Sequence, residues 1–305
     1  MRCDHCNDDA VTFIRYNGSH LCATHFMSYV ERRVKRELRR QVDLSRGSTI
    51  GVAVSGGKDS MVALDIIRRT FGKRRDAEIH CLSVDEGIDG YRRPSLDIVQ
   101  RYCDEHAIEY HERSFSDMFG IDMDRIAPRS GVSSPCTYCG VLRRKCLNSM
   151  AKEAGCAHLA TGLNLDDTAQ SLMMNFVRGD MERMARMGPH LKVQPGLVPR
   201  IQPLRSIPEK ESYLYAICSG LDFHDGDCPY SEAALRNQYR SLVDELERRS
   251  PGSKFSILSS YDQISPLLRE GMPQSELRAC RCGEPTLGEE CKACNLLGNL
   301  PGDIP

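Results

Sequence analysis

The sequence predicts an α/β protein with a doubly wound parallel sheet, flanked by a zinc-binding module near each end of the chain. Three observations support this fold class. Short β-branched, apolar runs alternate with amphipathic helical segments, which is typical of a parallel sheet with helices on both faces. A glycine turn joins the first of these runs to a helix. Cysteines gather near both termini, at spacings typical of zinc ligands.

Length and composition limit the possible classes of protein. The 305 residues suffice for one large α/β domain and one or two small modules. The net charge is −1, so any surface that binds nucleic acid must be local. No apolar run approaches the roughly 18 residues of a membrane helix, and the N-terminus lacks a signal-peptide pattern. We therefore expect a cytoplasmic protein without a membrane partner. Of its 15 cysteines, ten fall into groups that favour metal binding over disulfides, and the other five are interpreted as small buried apolar residues.

The first module, predicted over residues 1–29, has the pattern of a zinc finger. Two pairs of metal ligands flank a predicted hairpin with a turn at Asn17-Gly18. The four ligands are Cys3, Cys6, Cys22 and His25. A closed site of four such ligands is structural, because it folds a segment too small to bury a core of its own.

Residues 30–47 are predicted to form a basic linker helix. Val34, Leu38 and Val42 give this helix one apolar stripe and leave the other faces to basic side chains. The basic residues are Arg32, Arg33, Lys35, Arg36, Arg39 and Arg40. Such a run is either an ordinary solvated face or a surface that binds the RNA backbone, and the sequence leaves both interpretations open.

The catalytic domain is predicted over residues 48–245, and it begins with a phosphate-binding turn between a strand that includes Ala53 and a helix. Glycines let the backbone approach an anion, which the N–H groups and positive dipole of the helix N-terminus bind. The turn consists of Ser55, Gly56, Gly57, Lys58, Asp59 and Ser60. It lacks the glycine spacing of a Walker loop and resembles the PP-loop of ATP pyrophosphatases, which cleave ATP between the α- and β-phosphates.

Two further strand ends are predicted beside the nucleotide, because the carboxyl ends of parallel strands meet at one edge of the sheet. Val84 ends one of these strands, and Gly162 follows the end of the other. Asp166 and Asp167 come next, at the start of a helix, where an aspartate is often only a structural cap. The position of Asp167 favours a functional carboxylate that holds Mg²⁺ or accepts a proton.

Cys136 and Cys139 form a C-x-x-C pair at a predicted helix start. No second pair lies nearby to complete a zinc site, so a redox dithiol and an iron–sulfur ligand pair stay open as interpretations. Residues 179–203 are predicted to form a loop that covers the substrate. Ser206 is predicted to begin the next helix with a capping-box spacing to Glu209.

The C-terminal region, predicted over residues 246–305, carries a second closed zinc site. Its ligands are Cys280, Cys282, Cys291 and Cys294. Four cysteines at these spacings are typical of a structural zinc site. Two such modules mainly stabilise the fold, and they are also a common way to build a surface that binds RNA.

Six features in one order give the chain a family resemblance over nearly its whole length. They are the N-terminal Cys/His set, the SGGKDS turn, the PCTYCGVLRR segment, the TGLNLDDTAQ segment, PLRSIPEKE together with DCPYS, and the terminal cysteine set. In this order they resemble the tRNA 2-thiouridine synthetases of the TtuA and cytosolic thiouridylase type, which belong to the PP-loop ATP pyrophosphatase superfamily and have a Rossmann-like fold.

The resemblance implies an ATP-dependent sulfurtransferase that acts on a tRNA uridine. It also implies that Cys136, Cys139 and Cys228 jointly hold a 4Fe-4S cluster, whose fourth iron is open to sulfide. Arg143 then stands where a basic residue is expected near the substrate, and some relatives carry lysine there. Asp59 and Asp167 match motif carboxylates tied to ATP and catalysis. The sulfur donor is expected to be sulfide or a thiocarboxylated ubiquitin-like protein, and a homodimer is possible.

The expected reaction follows from the chemistry of the uridine C2 carbonyl, whose oxygen is a poor leaving group until it is adenylated. Lys58 and the loop N–H groups are expected to stabilise the departing pyrophosphate, with Mg²⁺ held by Asp59 or Asp167. Sulfide is then expected to attack C2 and expel AMP. The alternatives are another PP-loop enzyme, such as a tRNA cytidine thiolase, and a non-enzymatic zinc- and RNA-binding adaptor.

Overall fold

The computed structural model describes residues 1–42, 47–129, 134–189, 194–231, 236–271 and 277–301. Its strands are β1 (Thr12–Ile14), β2 (Ser19–Leu21), β3 (Ser48–Ala53), β4 (Ala77–Asp85), β5 (Glu109–Ser114), β6 (His158–Thr161), β7 (Arg200–Ile201), β8 (Arg278–Ala279) and β9 (Pro285–Thr286). Its α-helices are α1 (Ala23–Gln41), α2 (Lys58–Phe71), α3 (Arg92–His106), α4 (Phe115–Phe119), α5 (Met123–Ile126), α6 (Pro135–Glu153), α7 (Leu165–Val177), α8 (Met181–Ala185), α9 (Glu209–Ser219), α10 (Arg236–Arg249), α11 (Ser253–Gly271) and α12 (Lys292–Gly298).

A five-stranded parallel sheet, in the spatial order β5-β4-β3-β6-β7, lies at the centre of the fold. The chain proceeds outward from β3 to β4 and β5, and then returns to the other side of β3 to form β6 and β7. The strand order therefore reverses between β3 and β6, where α/β sheets form a ligand crevice at the carboxyl ends of the strands. The predicted doubly wound α/β fold is confirmed.

Side chains that alternate along the strands pack into two separate hydrophobic cores, one on each face of the sheet. Ile50, Val52 and Ala160 pack on one face against α1, α2 and α9, whereas Leu82 and Leu159 pack on the other face against α6 and α12. This alternation is the period-two pattern of a strand buried on both sides, and it explains why these strands are continuously apolar. Among the helices of the described ranges, none combines the length and the apolarity that a bilayer crossing requires.

The basic helix begins earlier than predicted, because α1 starts directly after the predicted zinc ligand Cys22 and contains His25. Its apolar stripe is buried in the core against α9, so α1 is part of the domain rather than a linker. The predicted boundary at residues 29/30 falls inside this helix, and the boundary at 245/246 falls inside α10. Residues 43–46 of the predicted helix lie outside the described residues.

The prediction that every basic side chain of α1 points outward is wrong for Arg33. This guanidinium is buried, lies 2.8 Å from Glu211 Oε2 on α9, and donates hydrogen bonds to the Ser206 carbonyl and, at 2.6 Å, to the Tyr16 hydroxyl. The buried positive charge of Arg33 is tolerated because the carboxylate of Glu211 neutralises it. Arg33 thus joins the N-terminal hairpin to α9.

The predicted capping box at Ser206 is also wrong. Helix α9 begins at Glu209, and its N-cap, Pro208, has no side-chain hydrogen bond. The carboxylate of Asp166 from α7 takes the place of the missing cap and accepts a hydrogen bond of 2.8 Å from the Glu209 N–H. A remote carboxylate therefore stabilises the positive end of α9.

Residues 179–203 are not the continuous loop that the sequence predicts. They include α8, which packs on α11 through the buried Met184 and Tyr261, and β7, which is the edge strand of the sheet. His190 and Lys192 of this segment lie outside the described residues. Regular structure at Arg200–Ile201 arises because β6 offers a strand edge that pairs with it.

We expect the Arg33→Met substitution to lower the free energy of unfolding by about 3–5 kcal/mol, because it leaves the buried Glu211 carboxylate unpaired. Arg32→Met is the matched control, since Arg32 is exposed on the same helix and should change stability by less than about 0.5 kcal/mol. Urea unfolding followed by circular dichroism measures both values. Equal stabilities of the two variants would contradict the structural role of Arg33.

Candidate active site and metal centres

The phosphate loop connects β3 to α2 and requires glycine at its centre. Gly56 has φ = +80°, and a Cβ atom there would lie 2.2 Å from the backbone oxygen of Ser95 on α3. Gly57 is the N-cap of α2, and the Ser60 hydroxyl donates to its carbonyl at 2.8 Å. The same hydroxyl accepts from the Ser55 N–H at 3.1 Å, which fixes the turn around the helix N-terminus.

The predicted strand ends meet at this loop. A Cβ atom on Gly162 would lie 2.8 Å from the Ser60 nitrogen, so the residue after β6 touches the first turn of α2 through its backbone. Ala53, the last residue of β3, is half-buried. Val84 packs its side chain into the hydrophobic core on the α6 face of the sheet. Only the backbone of Val84 is therefore placed to contact a nucleotide.

The Lys58 ammonium lies between two carboxylates. Its Nζ is 3.1 Å from Asp59 Oδ2 and 2.8 Å from Glu209 Oε1. Burial alone would lower the pKa of Lys58, but the two carboxylates outweigh it and raise the pKa, so the side chain stays charged. Arg240 also contacts both Glu209 oxygens at 3.0 Å. Sequence reasoning missed Glu209 as a site residue, although it belongs to the PLRSIPEKE segment.

Asp59 has the donor atom that a magnesium-bound nucleotide needs. Its Oδ1 is buried and makes no hydrogen bond to any residue that the structure describes. A buried carboxylate oxygen without a partner is costly, and Mg²⁺ prefers carboxylate and phosphate oxygens as ligands. Asp59 therefore fits the predicted role of a ligand to the metal that accompanies ATP.

Asp167 forms a reciprocal capping box at the start of α7. Its Oδ2 accepts a 3.1 Å hydrogen bond from the Asn164 N–H, and Asn164 Oδ1 accepts one of 2.9 Å from the Asp167 N–H. Asp166 instead forms an ion pair with Lys254 of α11. The geometry thus gives both aspartates a structural role, and the catalytic role of Asp167 stays a prediction.

The three cysteines that the resemblance implies as cluster ligands meet at the start of α6. Cys136 and Cys139 lie in its first two turns, and Cys136 Sγ is 3.5 Å from the carbonyl oxygen of Tyr230. Cys228 belongs to the turn that contains Tyr230, because its carbonyl accepts from the Ser231 N–H at 2.9 Å. Tertiary contact therefore brings the distant Cys228 to the pair.

Three thiols are the donor set that an iron–sulfur cluster takes, because each cysteine of a cluster binds a different iron. Among the described residues, the ligand atoms of these three cysteines do not all lie within 4.8 Å of one another. Burial raises the pKa of Cys139, and burial together with the charge of Cys228 raises that of Cys136. Metal binding must therefore displace the thiol protons.

A buried carboxylate connects the cysteines to the phosphate loop. Glu86, which is fully buried at the end of β4, forms ion pairs with Arg92 and, at 2.8 Å, with Arg143. Arg143 donates to Cys139 Sγ at 2.9 Å, and Arg92 donates to the Ser55 carbonyl at 3.0 Å. Sequence reasoning gave Glu86 no role, because neither arginine is its neighbour in the chain.

The segment that carries Cys228 also touches the phosphate loop. The His224 N–H donates to the Gly56 carbonyl at 2.8 Å, and the His224 ring packs edge-on against Tyr91, with 5.3 Å between ring centroids. The segment that carries Cys228 therefore contacts the phosphate loop directly, and a shared crevice for both sites stays a prediction.

The N-terminal Cys/His set has the geometry of one tetrahedral ion. Cys6 Sγ is 3.6 Å from Cys22 Sγ, His25 Nδ1 lies 3.2 Å from Cys22 Sγ and 3.6 Å from Cys3 Sγ, and all four ligand atoms lie within 4.8 Å. Zn–S bonds of about 2.3 Å imply a sulfur–sulfur separation of about 3.8 Å. These four residues therefore fit the predicted zinc site.

The C-terminal cysteines form an equivalent group. The sulfurs of Cys280 and Cys294 are 3.8 Å apart, and those of Cys282 and Cys291 are 3.6 Å apart. Lys145 of α6 donates to Cys282 Sγ at 2.9 Å. Burial alone would raise the pKa of this thiol, but the Lys145 hydrogen bond helps to lower it to about 6, which favours the thiolate that zinc binds.

A group of arginines lies beside the α6 helix. Partial burial and the like charges of Arg200, Arg143 and Arg183 lower the pKa of Arg144 to about 10. Arg144 and Arg183 are exposed, and Arg200 is half-buried on β7. Mutual repulsion of this kind is relieved by a polyanion, so this group is suited to phosphate binding.

Comparison with known proteins agrees with this geometry. Residues 28–246 match the model of a PP-loop domain, and residues 2–27 match that of a 2-thiouridine synthetase TtuA N-terminal LIM domain. The tRNA 2-thiolation protein NcsA of Haloferax volcanii is 37% identical over 98% of this chain and 99% of that protein. The tRNA-5-methyluridine(54) 2-sulfurtransferase of Pyrococcus horikoshii is 32% identical over 98% of this chain and 94% of that protein.

A solved structure shows the same similarity over the whole fold. The U34-tRNA thiolase NcsA from Methanococcus maripaludis, with its 4Fe-4S cluster, superposes with a TM-score of 0.86 at 35% sequence identity. The match covers 98% of this chain and 96% of that one. The fold, the phosphate loop and these relatives together show that this chain belongs to the PP-loop family of tRNA 2-thiolation enzymes.

Proposed function

We propose that this protein catalyses the ATP-dependent 2-thiolation of a tRNA uridine. The observation that carries the proposal is the continuous set of contacts from Cys139 through Arg143, Glu86 and Arg92 to Ser55, which joins the cysteines to the phosphate loop. Adenylation of the C2 oxygen and the attack of sulfur on C2, which expels AMP with that oxygen, must happen at one carbonyl group. Direct contacts between the two sites support this sequence of steps.

The phosphate loop and Lys58 serve the adenylation step. The N-terminus of α2 and the charged ammonium of Lys58 stabilise negative charge that develops on the departing pyrophosphate. Glu209 holds Lys58 in place at 2.8 Å in the free protein. Asp59 offers its buried Oδ1 to Mg²⁺, while Asp167 orients the start of α7 beside the loop.

Cys136, Cys139 and Cys228 hold the iron–sulfur cluster. When bound, a cluster with three protein ligands supplies an open iron that holds sulfur for transfer. Arg143 lies against Cys139 in this arrangement, so its positive charge lowers the cost of thiolate charge in a partly buried site. The two Cys-rich modules hold zinc as structural ions. The sulfur donor, the modified uridine, a cytoplasmic location and a homodimeric state stay predictions.

The arginine group of Arg144, Arg183 and Arg200 is the proposed contact for the tRNA backbone. Arg144 lies on α6, five residues after Cys139, and the charges of Arg183 and Arg200 act on it. Helix α1 packs on the opposite face of the sheet from α6. We therefore assign the phosphate contacts to α6, α8 and β7 rather than to α1.

The Lys58→Ala variant tests the use of the phosphate loop. We expect pyrophosphate release in the presence of tRNA to fall at least about 100-fold, because transition-state charge loses its cationic partner. Binding of tRNA, measured by filter retention, should not change. Lys73→Ala, at an exposed position beyond the C-terminus of the same helix, is the control. Normal turnover of Lys58→Ala would contradict the proposed adenylation step.

The Glu86→Gln variant tests the contact between the phosphate loop and the cysteine site. It keeps the side-chain volume but leaves two guanidinium groups without their shared counter-charge, so we expect a loss of about 3–5 kcal/mol in unfolding free energy. We also expect less iron and acid-labile sulfide after anaerobic purification, because Arg143 is no longer held against Cys139. Glu105→Gln, on the exposed side of α3, is the control. Wild-type stability and iron content would show that the contact is dispensable.

The Arg144→Gln/Arg183→Gln double variant tests the tRNA contact. We expect tRNA affinity to fall about tenfold and the slope of log affinity against log salt to decrease by about 1 per lost phosphate contact. The control is Arg32→Gln/Arg36→Gln on α1, which should bind tRNA like the wild type. A larger loss in the α1 variant would instead assign RNA binding to the helix that the sequence singled out.

A further inference from the structure

Two histidines and a glutamate converge on neighbouring strands, away from the nucleotide edge of the sheet. His80 lies in the first half of β4 and is paired in register with Glu109, the first residue of β5. His111 follows two residues later on β5. Laterally paired residues of adjacent parallel strands share a face, and so do residues two apart on one strand. The backbone therefore directs all three side chains to one place.

The ligand atoms of these residues lie at distances that suit one metal ion. Glu109 Oε1 is 3.3 Å from His111 Nε2, and Glu109 Oε2 is 3.5 Å from His80 Nδ1. The two imidazole nitrogens are 2.9 Å apart. Zn–N bonds of about 2.1 Å at a tetrahedral angle separate two nitrogens by about 3.4 Å, so the rings need to part by only about 0.5 Å.

The hydrogen bond between the two imidazoles pairs one nitrogen of each ring and does not involve the carboxylate of Glu109. The hydrogen bond at 2.9 Å places one proton between the facing nitrogens, so one of them accepts with its lone pair. The carboxylate oxygens then add negative charge beside a nitrogen lone pair. A cation at the same point would be attracted to all three groups at once.

The surroundings of the cluster are those of a site that can exchange its ion with solvent. His80 is only 8% exposed, whereas Glu109 is exposed and His111 is half-buried. The second ring nitrogen of His80 lies 3.9 Å from Glu78 Oε2, so a further negative charge stands near the cluster. An open cavity of about 820 Å³ borders both strands at this level, and Ile79 and Ile108, which face the other side of the sheet, also line it.

We propose that His80, Glu109 and His111 form a further metal site, which binds a divalent transition ion of the zinc class and leaves the remaining coordination positions to solvent. Two imidazoles and one carboxylate are the donors that zinc, cobalt or nickel accept, and they disfavour the hard ion Mg²⁺. The site is distinct from the two cysteine-rich centres because it contains no thiolate and lies on strands rather than in a small module.

Zinc titration of the full-length protein tests this site. The protein is first dialysed against a weak chelator at pH 7.5, and heat of binding is then measured with zinc chloride as the only ligand. We expect His111→Ala and Glu109→Gln to lose one equivalent of zinc, or to bind it at least tenfold more weakly than the wild type. His106→Ala is the matched control, because His106 lines the same cavity but lies outside the cluster.

Cobalt gives a second measurement that separates this site from the cysteine-rich centres. Cobalt bound by thiolates has intense near-ultraviolet charge-transfer bands, whereas cobalt at this site should add only weak visible bands, which disappear in His111→Ala. Equal zinc stoichiometry and affinity in the wild type and both cluster variants would overturn the proposal. Circular dichroism checks folding, and if His111→Ala misfolds, the exposed Glu109→Gln decides the outcome.

Discussion

The architecture of the active site depends on one buried negative charge, that of Glu86. An isolated carboxylate in a protein interior is strongly unfavourable, so it is retained only where positive groups surround it. Here the two guanidinium groups of Arg92 and Arg143 meet that need, and each of them reaches onward to a different functional element. The requirement to neutralise one side chain thus fixes the phosphate loop and the cluster cysteines relative to each other.

Charged side chains help to connect both cysteine-rich modules to the catalytic domain. Helix α6 carries Cys139, a proposed cluster ligand, and, less than two turns later, Lys145, which contacts the C-terminal cysteine group. At the other end of the chain, Arg33 attaches the N-terminal hairpin to α9, whose first residue holds Lys58. The modules therefore stabilise the catalytic domain as well as themselves.

Local pattern was sufficient to predict β3 to β6, the phosphate turn and both four-ligand sets, because each depends on residues close in the chain. It failed where the partner is remote. The burial of Arg33 depends on Glu211, the cap of α9 comes from Asp166, and the place of Glu86 depends on arginines of two other helices. Periodicity identifies the apolar face of a helix. It does not reveal which charged side chain on that helix is paired, in the folded protein, with an opposite charge from a distant part of the chain.

The forked shape of Arg143 has an evolutionary consequence. Its planar group contacts a carboxylate through one nitrogen and a sulfur through another, whereas a lysine offers one point charge. A homologue with lysine at this point would need another cation or a neutral residue in place of the acid at the end of β4. Positions 86, 92 and 143 should therefore vary together. Transferring two of these residues from one family member to another should impair the site, whereas transferring all three should preserve it.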